Sequence, residues 1–112
     1  MIGISDEHVE LANTVRRWAQ SHCPPALARS YLDGNAAALP PFWDQLPDLG
    51  WLDLDFPELA VVVEELGRAM APGPFVPTAI ASRVLGRSLS EPAAVAFAGD
   101  VVLGGAGASL IV

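Results

Sequence analysis

The chain has 112 residues, enough for one domain or a piece of something larger. Hydrophobic residues make up 52% against 17% charged, which supplies a core and excludes a disordered tail. Six basic against thirteen acidic residues leave a net charge of −7 with no basic cluster, so nucleic acid and anionic membrane are excluded as partners.

No apolar run approaches the roughly 18–20 residues that cross a bilayer. MIGISDEH shows no basic segment leading into an apolar one, so no secretion signal is expected. A lone cysteine, Cys23, permits no internal disulfide and fits a reducing, cytoplasmic setting.

Ser5 reads as an N-cap, with Asp6 and Glu7 at the positive end of a first helix and Ile4 and Val9 placed as a hydrophobic staple. Leu11, Val15, Trp18 and Ala19 recur at helical spacing, so this helix is expected over 6–20, stopped by Pro24-Pro25. A second helix should start near Pro25 and end at Gly34. Residues 35–40 read as a loop. A short helix follows from Pro41 to about Leu46, tightened or kinked by Pro47 and ended by Gly50. Trp51 to Leu54 reads as an extended apolar exit.

Pro57 and Glu58 open the next helix, along which Leu59, Val62, Val63, Leu66 and Met70 step at three-four intervals. At about 1.5 Å per residue it is a rod of roughly 22 Å. Gly67 costs this helix roughly 1 kcal/mol against alanine, and a close backbone approach is the expected compensation. Pro72-Gly73-Pro74 breaks the rod. Another helix should run from Phe75 to Leu85, with Pro77 in its first turn and Gly86 beyond its end. The runs 94–98, 101–103 and 110–112, separated by glycine-rich turns, read as strands.

Several residues invite a chemical role and have a plainer explanation. Glu64 and Glu65 could divide acid and base work, but neighbours on a helix point about 100° apart and cannot converge on one atom. They are expected on a solvated face or in ion pairs, with Arg68 the i+4 partner of Glu64, and neither is the base. His8 and His22 lack the neighbours of a metal site and should be surface or capping residues. Cys23 is expected to be an inert thiol. Trp18, Trp43 and Trp51 are expected in packing. VVLGGAGAS imitates a nucleotide-binding loop but has only two of the three glycines at the required spacing.

The order of elements, and the segments ISDEHVELANTVRRWAQ, PPFWDQLPDLGWLDL, ELAVVVEELGRAMAPGPFVPTAIAS and AVAFAGD within it, resemble the N-terminal part of an acyl-CoA dehydrogenase. EELGRAMAPGPF looks most like actinobacterial members, including the heteromeric enzymes of steroid side-chain breakdown. The resemblance implies a mainly α fold: an N-terminal all-helical domain over 1–87, then the first strands of a middle β domain over 88–112. It implies an acyl-CoA substrate, FAD held by the rest of the enzyme or a partner subunit, a homologous subunit in a homo- or hetero-oligomer, and an electron-transfer protein. No catalytic or cofactor-binding residue is expected in this stretch. Thr78, Ala81, Ser82 and Leu85 are the expected substrate-binding residues, with the small Ala81-Ser82 pair leaving width for a bulky acyl group. The alternatives are a non-catalytic structural subunit of a heteromeric enzyme and a free-standing helical interaction module.

The chain departs from the family pattern at Leu54-Asp55, between Leu85 and Ser88, and near Asp100-Val101, where connections are short. Segments absent from the sequence as written are expected there, because removing whole connections would leave helix ends too close to pack.

Overall fold

In a computed structural model of the chain, residues 5–34, 39–98, 101–103 and 108–112 are described. They form two compact units, one of residues 1–34 with 54–72 and one of residues 35–53 with 73–112. The fold is mainly helical with a small sheet at its C-terminal end, as expected.

The first unit holds α1 (Asp6–His22), α2 (Pro25–Leu32) and α4 (Phe56–Arg68). Ser5 caps α1 in a reciprocal box: the His8 amide donates to Ser5 Oγ at 3.3 Å, and the Ser5 amide donates to His8 Nδ1 at 3.4 Å. The Ile4 half of the staple lies outside the described residues. Val15 and Ala19 of α1 are buried, as are Leu59, Val62 and Leu66 of α4, and these two helices pack together to make the core of the unit. By contrast α2 buries no residue, and Leu32 at its end is 79% exposed.

The α4 rod is shorter than expected, and Met70 falls outside it, 65% exposed. Its end is a Schellman turn: the Ala71 amide bonds the Leu66 carbonyl at 2.9 Å and the Met70 amide bonds the Gly67 carbonyl at 3.0 Å. That turn puts Met70 at φ 55°, the left-handed region that favours glycine. Gly67 corrects another expectation. A Cβ built there meets nothing within 4 Å, so no close approach compensates it. It stands in the last turn of the helix, where interior propensity matters least.

The second unit begins with a 3-10 turn (Trp43–Gln45) running into the one-turn α3 (Leu46–Leu49), whose first turn accommodates Pro47. Gly50 at φ 74° ends it. The exit that follows is a 3-10 turn over Trp51–Asp53 rather than extended chain, with the Asp53 amide on the Gly50 carbonyl at 3.3 Å. Trp51 and Leu52 are both buried, which successive residues of a one-faced strand cannot be. Gly73, at φ 102°, leaves room for Pro40, whose Cδ would lie 2.9 Å from any added Cβ.

From there α5 (Phe75–Leu85) runs to Gly86 at φ 70°, as expected. The sheet order is β2 (Val101–Leu103), β1 (Ala93–Ala98), β3 (Leu110–Ile111). β1 pairs antiparallel with β2, with a bulge between Ala96 and Ala98, and parallel with β3. Ala81, Leu89, Ala93 and Val95 form a core cluster joining helix to sheet. Leu89, in the connection from α5 to β1, is buried within this cluster at 1% exposure, and its amide donates to Ser82 Oγ of the helix. Gly99-Asp100 and the glycine loop 104–107 lie outside the described residues.

Candidate functional site

The glutamate pair divides sharply. Glu64 is 68% exposed and accepts from Arg68 Nη2 at 3.1 Å, the expected i+4 pair. Glu65 is only 4% exposed, so the solvated-face alternative fails for it and the ion-pair alternative holds. Arg16 of α1 grips it with two bonds, Nη2 to Oε1 at 2.8 Å and Nε to Oε2 at 3.1 Å, while Arg68 Nε stands 4.0 Å away. The hydrogen bonds from Arg16, and then its charge, hold the Glu65 carboxyl below the ordinary 4.5, against the opposing effect of burial. A carboxylate engaged on both oxygens is a poor general base.

Sequence reasoning missed this long-range pair. The signal was present: Glu65 stands three residues after Val62, on the stripe that also carries Leu59 and Leu66, so the helical period places it on the buried face.

The four expected substrate-binding residues all stand on α5, and the structure separates them. Thr78 and Ala81 are fully buried and Ser82 is buried at 4% exposure. Ser82 Oγ donates to the Thr78 carbonyl at 2.8 Å and accepts from the Leu89 amide at 3.2 Å; Thr78 Oγ1 accepts from the Ala93 amide at 3.0 Å. These hydroxyls stitch helix, connection and strand together. Leu85 is 43% exposed, and Val84 beside it is open to solvent as well.

The remaining candidates take structural places. His8 Nε2 donates to Glu58 Oε1 at 3.2 Å, which with the cap bond to Nδ1 requires the neutral Nε2–H tautomer. Glu58 is held low first by a backbone hydrogen bond and then by His8. His22 stacks on Trp18 with centroids 4.5 Å apart and donates from Nδ1 to the Trp18 carbonyl at 2.9 Å. Trp43 is buried and donates to the Ser90 carbonyl at 3.2 Å, and Trp51 is buried. Burial pushes the Cys23 thiol up, which lowers its reactivity. Among the described residues, no three of His, Cys, Asp and Glu converge to hold a metal ion.

The first unit also contains an open groove of about 720 Å3 between α1, α2 and the end of α4. Arg16, Arg29 and Arg68 line it together with Glu65, above an apolar floor that includes Ala19, Cys23, Ala28 and Met70.

Residues 5–93 match the family described as acyl-CoA dehydrogenase, N-terminal domain, and the chain belongs to that family. No curated relative and no solved structure matches it. Among the described residues no helix is long and apolar enough to cross a membrane.

Proposed function

We propose that the chain is part of a flavin-dependent acyl-CoA dehydrogenase, which removes hydrogen across the α,β bond of an acyl-CoA thioester. In this reading it forms one wall of the acyl pocket and supplies no catalytic residue. The observation that carries the proposal is the family match over residues 5–93. The occupied Glu65 carboxylate is consistent with it, because the most enclosed acid among the described residues is already committed to Arg16.

FAD belongs to the rest of the enzyme or to a homologous partner subunit. The described residues do not fit the group, since the buried polar side chains Glu65, Thr78 and Ser82 use their hydrogen bonds within the chain. No step of the reaction is therefore assigned to flavin contacts here.

On α5, Leu85 is the residue of the proposed acyl-facing set with surface to offer, while Thr78, Ala81 and Ser82 fix the position and width of the wall from behind. A bulky acyl group, branched or steroidal, suits a wall built on small residues. In family order residues 1–87 are assigned to the helical domain and 88–112 to the start of the middle β domain. An electron-transfer protein as acceptor, a heteromeric assembly and a cytoplasmic location complete the proposal.

The test is intact mass and an absorbance scan on the native protein. A polypeptide well above 11.7 kDa carrying a flavin spectrum supports the proposal. A long polypeptide without flavin, co-purifying with a flavin-bearing partner, makes it a structural subunit. A colourless monomer of 11.7 kDa is a helical interaction module and overturns both.

A further inference from the structure

We propose that the groove between α1, α2 and the end of α4 binds an amphipathic anion, a molecule with one carboxylate or phosphate head and an apolar body. The proposal rests on the groove alone and is independent of the family's reaction. A volume of about 720 Å3 falls within the range of small-molecule sites, roughly 300–1,000 Å3.

Charge selects the occupant. The lining contains three of the chain's six basic residues and one acid, in a molecule of net charge −7. That acid, Glu65, is neutralised by Arg16, and Arg68 is paired with Glu64, which leaves Arg29 as the uncompensated cation of the lining. The Arg29 guanidinium, exposed in the lining of the groove, has no hydrogen-bond or ion-pair partner among the described residues. A guanidinium in this setting presents its fork to a carboxylate or phosphate.

The apolar side of the groove is equally unsatisfied. Leu32 and Met70 are 79% and 65% exposed. Met70 holds a left-handed backbone in a turn that glycine would occupy without strain, as Gly86 does at the end of α5. A non-glycine residue kept in strained backbone beside a groove is a mark of ligand sites, and methionine is the side chain best able to adapt to an apolar guest. The head group therefore sits at Arg29, and the body lies over Ala19, Ala28 and Met70.

Isothermal titration of the 112-residue chain with dodecanoate and dodecyl phosphate, below their micelle concentrations, tests this. Dodecyltrimethylammonium and dodecanol serve as charge controls. The expected result is saturable one-site binding of an anion, weakened about tenfold or more in Arg29→Glu and in Leu32→Asp. Arg17→Glu, outside the groove, should bind as the parent does, and the tighter of the two anions identifies the head group. Both groove substitutions are at exposed positions, and circular dichroism checks that each variant is folded. Met70→Gly is the second probe, expected to fold at least as stably and bind more weakly. Equal affinity for the cation or the alcohol, full affinity in Arg29→Glu, or no saturable binding overturns the proposal. So does a dimer, seen by light scattering, that Leu32→Asp dissolves, because a second copy would then fill the groove.

Discussion

Glu65 shows how one side chain can look catalytic and be structural. Its carboxylate is enclosed, yet both oxygens are bonded to Arg16, so its proton affinity falls rather than rises. A carboxyl depressed in the folded state contributes stability that is fully present above its unfolded value. That stability is lost as pH falls through the folded one. Acid denaturation followed by circular dichroism should therefore lose its Glu65-dependent part below about pH 4.5, and Glu65→Gln should flatten this limb. Arg16→Met should lower the denaturation midpoint more than Arg68→Met, because only the first strips an enclosed carboxylate of its paired bonds. Thr78 acts by the same logic with neutral groups. Thr78→Val leaves the Ala93 amide unsatisfied in a dry setting and should cost about 1–3 kcal/mol in urea denaturation.

Helix ends account for most of what the elements do. α4 and α5 close with the same bonding pattern, from Ala71 to Leu66 and from Arg87 to Ser82, but with Met70 and Gly86 respectively at the left-handed position. Met70→Gly should accordingly stabilise the fold by about 0.5–1 kcal/mol, read as a raised urea midpoint with unchanged slope. Element type and order were legible in the sequence because capping residues, prolines and three-four apolar spacing agree along α1, α4 and α5. Two features escaped it. The Trp51–Asp53 segment looked extended because its apolar run carries no period, and it curls because Gly50 turns the chain. The Arg16–Glu65 pair joins residues far apart in sequence, and local spacing could place Glu65 on the buried face without naming its partner.

At the scale of the whole molecule, the family match and the bonding of the buried polar groups point the same way. Thr78 and Ser82 are expected as pocket residues because the family resemblance implies that their helix faces the acyl chain. Their hydroxyls also accept from the Leu89 and Ala93 amides, bonds visible only once residues 89 and 93 fold back on α5. In the proposed reading, what this chain offers a larger enzyme is a positioned helix, with its enclosed acid held as an ion pair. The most direct measurement is turnover of an acyl-CoA by the assembled native enzyme carrying Glu64→Gln and Glu65→Gln together. The account predicts kcat within a few-fold of the parent; a fall of about 100-fold or more, the contribution of a lost general base, would contradict it.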